Sequence, residues 1–265
     1  MRVAGARPAM RHVARKRFGQ NFLVDEAAIA AIIDAIAPQP RDRVVEIGPG
    51  LGALTRPLSG RLEHLHAIEL DRDIIARLRA ELPATRVTLH EGDALRFDFS
   101  ALGPRLRVVG NLPYNISTPL LFHLAQHAPA IFDIHVMLQK EVVERMVAAP
   151  STSEYGRLSV MLQYRFEMEK LLEVPPTAFR PAPKVESAVV RLTPFARLPH
   201  PARDEAAFGK VVAAAFSQRR KTLRNALRTH FRAADFERMG VDAGLRAQDL
   251  RVEDFVRLAD EVLNR

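Results

Sequence analysis

The chain has 265 residues, 48% apolar and 26% charged, which suits one large globular domain plus a small one. It contains no cysteine, excluding disulfides, thiolate zinc sites and cysteine nucleophiles together and fitting a reducing cytoplasm. No apolar run approaches the roughly 18 residues of a membrane span, and the basic N-terminus lacks the apolar stretch of a secretory leader.

The net charge of +8 is unevenly placed. Arg2, Arg7, Arg11, Arg15, Lys16 and Arg17 lie within residues 1–24, which hold no acid. Lys210, Arg219, Arg220, Lys221, Arg224, Arg228 and Arg232 lie within residues 206–234, again without one. An arginine-rich composition accounts for the total but not for the segregation, which reads as a polyanion footprint.

In chain order, Asp25 is the predicted N-cap of a helix whose Ile29, Ile32, Ile33 and Ile36 fall at helical spacing and which Pro38 and Pro40 end. Val44–Ile47 reads as a buried strand running into Gly48-Pro49-Gly50-Leu51-Gly52, with a helix from about Ala53. Strand Leu65–Glu69, helix Ile74–Leu82, and strands Arg86–His90, Leu106–Gly110 and Ile134–Leu138 follow. This alternation predicts an α/β fold, a parallel sheet with helices on both faces. Leu171–Val174 and Ala188–Leu192 resemble a closing strand pair. Pro194, Pro199 and Pro201 then punctuate the chain, and everything beyond reads helical, placing a boundary near residue 198.

The glycine turn after the first strand brings backbone and a helix N-terminus close to a nucleotide. Glu69, 21 residues after Gly48, ends the next strand where a carboxylate can accept both ribose hydroxyls. These two features suit a nicotinamide cofactor and a methyl donor equally. Two further turns decide between them. Asp93 ends the third strand with an acceptor suited to a cofactor's adenine amine, and Asn111-Leu112-Pro113-Tyr114 ends the fourth. The Asn111 side-chain carbonyl and the Leu112 backbone carbonyl can converge on an exocyclic NH₂, aiming the nitrogen lone pair at a sulfonium methyl. Tyr114 offers a flat face for an extruded base, a stacking gain of about 1–3 kcal/mol against a similar extraction cost. Such a transfer needs positioning more than acid–base groups, and the nine histidines show no metal-ligand spacing, so no metal is expected. The pattern points to S-adenosylmethionine-dependent methylation of adenine.

Several ordered motifs extend this reading. F-G-Q-N-F-L at 18–23, E-I-G-P-G-L-G at 46–52, N-L-P-Y-N-I-S-T-P at 111–119, L-Q-K-E-V at 138–142, Y-G-R-L-S at 155–159, F-R-P-A-P-K-V-E-S at 179–187 and Q-R-R-K-T-L-R-N-A-L at 218–227 stand at family-like spacing. From about Arg17 onward the chain closely resembles the ribosomal RNA adenine N6,N6-dimethyltransferases, in particular the bacterial small-subunit branch associated with kasugamycin sensitivity. The resemblance implies a Rossmann-like class I methyltransferase domain over 17–197, a small all-α RNA-binding domain over 198–265, and a basic tail at 1–16 outside the match. It implies dimethylation of two adjacent adenosines in the 3′-terminal hairpin of 16S rRNA in an assembling 30S subunit, by a cytoplasmic protein expected to be a monomer. Cofactor contacts carry over onto Asn21, Leu23, Gly48, Glu69, Asp93 and Asn111, beside Gly50 of the glycine turn, and Phe179 takes a position expected to enclose the target adenine.

The basic segment supports an RNA partner on its own. Arg220, Arg224 and Arg228 recur every four residues, predicting one basic helical stripe beside a packing stripe of Leu223 and Leu227, with Arg219 and Lys221 adding charge. Three other readings stand against this one: a large-subunit rRNA methyltransferase, a DNA adenine methyltransferase, and a non-catalytic RNA-binding assembly factor. The Q-R-R-K-T-L-R motif, the small C-terminal segment, and the intact Gly48, Glu69, Asp93 and Asn111 argue against them in turn.

Overall fold

The computed structural model describes residues 21–218 and 220–264. The basic tail, the F-G-Q of the first motif and Arg219 lie outside them. A two-residue strand, β1 (Phe22–Leu23), precedes helix α1 (Glu26–Ile36). Asp25 caps that helix by accepting from the Ala28 amide, and Ala37 ends it in the left-handed region at φ 48°. The helix buries Ile32, Ile33 and Ile36, the face its spacing predicts.

Strands and helices then alternate: β2 (Val44–Ile47), α2 (Thr55–Arg61), β3 (Leu65–Glu69), α3 (Arg72–Glu81), β4 (Val87–Glu91), β5 (Leu106–Asn111), α4 (Ser117–Gln126) and β6 (Ile131–Gln139). Next come α5 (Lys140–Val147), α6 (Arg157–Gln163), β7 (Phe166–Val174), β8 (Phe179–Arg180) and β9 (Ser187–Pro194), and the helices α7 (Glu205–Phe216), α8 (Leu223–Ala226), α9 (Ala233–Met239) and α10 (Val252–Val262). The main sheet runs β4-β3-β2-β5-β6-β9-β7. Its first five strands are parallel, and β9 and β7 complete it antiparallel. The closing pair is thus longer than its sequence signal, and β9 inserts between β6 and β7. The sheet is buried at its centre, where all four residues of β2 are inaccessible, as expected with helices on both faces.

A second pairing lies beside the main sheet. β1 pairs antiparallel with β8, setting Phe22 opposite Arg180 and Leu23 opposite Phe179. At the base of β5, the buried Arg107 guanidinium makes a bidentate contact with Asp133, through Nε at 2.9 Å and Nη2 at 2.7 Å. The same group donates to Asp42 at 2.6 Å and to the Ile36 carbonyl at 2.7 Å, satisfying the C-terminal end of α1. Helices α7 to α10 share a second core that also takes in Tyr155, Val160 and Tyr164. Helix α6 faces both cores, because Leu162 packs with the sheet.

Candidate active site

The chain runs from β2 outward to β4 and then crosses back to β5, so the strand order reverses between β2 and β5. The crevice beyond the carboxyl ends of such strands is where open α/β sheets bind ligands. A cavity of about 360 Å³ occupies that place.

Its walls follow from local chain geometry. Gly48 and Gly50 line it with φ of 68° and 54°, a left-handed conformation that a side chain disfavours. At Gly50 a Cβ would also come within 3.2 Å of the Phe22 ring. Glu69 ends β3, and its Oε1 accepts from the Leu70 and Asp71 amides at 2.8 and 2.9 Å. Those bonds fix the carboxylate at the cavity wall. Burial raises its pKa, and backbone amides of Asp71, Leu70 and Gly50 oppose the rise. Asp93 is fixed similarly, accepting from the Leu95 amide at 3.0 Å at the start of a short helical turn. Ile68, Leu70, Ala94 and Leu95 supply apolar wall between these two acids, with Leu70 51% exposed.

The turn after β5 forms the opposite rim, where Asn111, Leu112, Pro113 and Tyr114 all line the cavity. Gly110 permits this turn to sit so close to β2, because a Cβ there would meet the Ile47 carbonyl at 2.5 Å. Asn111 donates its side-chain amide to the Asn21 carbonyl at 3.1 Å, which leaves the side-chain oxygen as its acceptor. The Leu112 amide bonds to the Met137 carbonyl at 3.1 Å, tying the turn to β6. The half-buried Tyr114 phenol shares a 2.6 Å hydrogen bond with Ser187 Oγ. Burial pushes that phenol above its ordinary range, and the Ser187 bond opposes the rise.

Asn21, Leu23, Gly48, Gly50, Glu69, Asp93, Asn111, Leu112 and Tyr114 therefore converge on one cavity. Phe179 does not. It is fully buried in a core with Leu23, Val109, Met137 and Val189, and it is not among the cavity-lining residues. It stands behind Leu23, which it holds through the β1–β8 pairing.

The basic segment is corrected in shape rather than in charge. Only Arg224 lies in α8, a single turn. Arg220 and Lys221 precede it and Arg228 follows it, so no continuous stripe forms. Thr222 is extended and pairs with Arg246, and the Leu223 and Arg224 amides bond to the Leu245 and Ala243 carbonyls, which interrupts the helix. Leu223 and Leu227 pack in the second core as expected, while Arg220, Lys221, Arg224 and Arg228 are exposed.

Glu46 is a site residue that sequence reasoning missed. It lines the cavity, is 1% exposed, and its Oε2 has no hydrogen-bond partner among the described residues. Burial pushes its carboxyl up to about 7; the Thr55 hydroxyl opposes this and the charge of Glu69 adds to it. That hydroxyl is itself buried without a hydrogen bond, so its opposition is weak. An acid inside a strand that otherwise reads apolar was the available signal. Among the described residues no cluster of three or more His, Asp or Glu could hold a metal, and no helix is long and apolar enough to cross a membrane.

A family model described as ribosomal RNA adenine dimethylase matches residues 11–264. The ribosomal RNA small subunit methyltransferase A of Thiobacillus denitrificans is 67% identical over 244 residues, covering 92% of this chain and 96% of that protein. Its namesake in Methylobacillus flagellatus is 61% identical over 251 residues, covering 95% and 98%. Among solved structures, a dimethyladenosine transferase from Plasmodium falciparum superposes with a TM-score of 0.74 at 26% identity, covering 89% and 95% of the two chains. The 23S rRNA methyltransferase ErmE superposes at 0.70 and 28% identity, covering 92% and 100%.

Proposed function

The chain belongs to the ribosomal RNA adenine dimethylase family, and on that premise we propose that it methylates N6 of two adjacent adenosines in the 3′-terminal hairpin of 16S rRNA, with S-adenosylmethionine as donor. The observation that carries this reading is the meeting of the Asn111–Tyr114 turn with Glu46, Glu69 and Asp93 around one cavity. The names borne by the relatives at 67% and 61% identity favour the small subunit over the large. The substrate fits an assembling 30S particle, bound by 198–265 while 17–197 carries the chemistry, by a cytoplasmic monomer.

The residues present fit the donor. Glu46 is a buried acid whose Oε2 has no partner among the described residues, and a cationic group beside it would favour its ionised form. Glu69 at the end of β3 suits a ribose, and Asp93 beside apolar Ile68, Leu70, Ala94 and Leu95 suits an adenine ring and its amine. When bound, the donor supplies a methyl group made electrophilic by positive sulfur.

The chain's own residues do the rest by orientation. Asn21 holds the Asn111 amide nitrogen, so the Asn111 oxygen accepts one hydrogen of the target NH₂. The Leu112 carbonyl accepts the other, and the nitrogen lone pair is turned away from both. Tyr114 stacks under the base and offsets the cost of extracting it. After transfer the surplus proton leaves through these carbonyls to solvent.

Purified protein with S-adenosylmethionine should dimethylate small subunits that lack the modification, read by mass spectrometry of the nuclease-released 3′ fragment. A mass gain elsewhere and none on that fragment would overturn the target. Asn111→Ala should cut transfer at least about 100-fold while calorimetry finds cofactor affinity changed only a few-fold. Near-normal turnover would remove Asn111 from the chemistry.

A further inference from the structure

We infer that Ser187 is a positioning residue for methyl transfer, a fixed post that sets the plane of the Tyr114 ring. The inference rests on the reading of Tyr114 as the platform under the target base.

Tyr114 is held at both ends by serines from different elements. Its carbonyl accepts from Ser117 Oγ at 3.0 Å, at the first residue of α4. Its phenol meets Ser187 Oγ at 2.6 Å, 73 residues further along the chain. With backbone and tip both tied, neither side-chain torsion is free to carry the ring away from the cavity.

Ser187 is suited to serve as a post because it cannot move. It is fully buried at the first position of β9. It is flanked in the ladder by Gln139 of β6 on one side and Val174 of β7 on the other. A hydroxyl at a fully buried strand position is destabilising unless it is bonded, and strand positions of this kind otherwise take apolar side chains, as Ala188, Val189 and Val190 do next to it. The phenol is the partner that accounts for a serine here. The pin makes the insertion of β9 between β6 and β7 a functional feature, because the strand brings the post to the rim of a cavity built by β2 to β5. Preorganising the ring before the base arrives avoids ordering it during transfer.

Two measurements test this. The chain has three tyrosines, so ¹⁹F NMR of protein carrying 3-fluorotyrosine gives few signals, and Tyr114→Phe assigns the one that matters. Ser187→Ala should shift or broaden that signal, and Ser187→Thr should restore it. In methyl transfer to unmodified small subunits, Ser187→Ala and Tyr114→Phe should each lower kcat about five- to tenfold, the scale of one lost hydrogen bond. KM for the donor should change little in both, and the thermal midpoint little in Ser187→Ala, while Tyr114→Phe should lose a few degrees because it leaves the buried Ser187 hydroxyl unbonded. The double variant should be no worse than either single one, and Ser187→Thr should return within about twofold of normal. A Tyr114 signal unmoved by Ser187→Ala, or losses that multiply in the double variant, would overturn the inference. Wild-type turnover in Tyr114→Ala would instead sink the platform reading itself, while the NMR arm would still report whether the pin exists.

Discussion

In the cavity wall, Glu46 keeps a buried carboxyl group whose Oε2 has no hydrogen-bond partner among the described residues. In the unfolded chain this group titrates near 4.5, and in the folded protein near 7. Between those values the native state holds a proton that the unfolded chain has released, so stability falls as pH rises through the window. The contribution is intact below about pH 4.5 and fully lost above about pH 7, a difference of roughly 3 kcal/mol at 1.4 kcal/mol per pH unit. Glu46→Gln should therefore stabilise the protein above pH 7 and make little difference at pH 5, read by urea unfolding at the two values. The same substitution should weaken donor binding, and binding to the unsubstituted protein should release a proton, visible in calorimetry as a dependence on buffer ionisation enthalpy. A stability gain equal at both pH values would show that the carboxyl is not held protonated.

At the scale of elements, the wall that carries Asn21 and Leu23 depends on two very short strands. Phe179 anchors β8 in the core and β8 anchors β1, so a residue outside the cavity holds part of its wall. Phe179→Ala should cost about 3–5 kcal/mol of stability and also lower donor affinity, while Phe179→Leu should largely preserve both. Full donor affinity in a folded Phe179→Ala protein would remove this role. These elements also mark where sequence was readable. Strands β2, β5 and β6 stand out as buried apolar runs, and α1 as a helical stripe behind a capping Asp, so the turns that follow β2 and β5 are legible with them. A two-residue strand has too few residues for any period to register, so neither β1 nor β8, nor the packing of Phe179 behind Leu23, is legible in the sequence. The pairing of β9 with both β6 and β7, and with it the contact of Ser187 to Tyr114, joins residues far apart in sequence that no local pattern links. The even spacing of Arg220, Arg224 and Arg228 suggested a helix, but the pairing of Thr222 with Arg246 overrides local spacing there.

For the molecule as a whole, positive charge is concentrated in the 220–228 segment of the helical region. Arg220, Lys221, Arg224 and Arg228 are exposed and, among the described residues, have no ion-pair partner. Replacing Arg220, Arg224 and Arg228 by alanine should weaken subunit binding, with donor affinity unchanged. It should also flatten the logarithmic salt dependence of that binding, by up to about 0.7–0.9 for each phosphate no longer neutralised. A filter-binding series between low and moderate salt checks this, and an unchanged slope would return these arginines to an ordinary solvated surface.

The Arg107 network has a consequence for the opposite end of its own strand. β5 is a stiff rod of roughly 13 Å from Arg107 to Asn111, at about 3.3 Å per residue, and its lower end is bolted to α1 through Ile36, to the loop after α1 through Asp42 and to β6 through Asp133. Its upper end carries the Asn111 turn. A protein engineer who treated the lower end as ordinary framework, and swapped its charges for apolar side chains to gain heat resistance, would be re-levelling the foundation of the Asn111 turn.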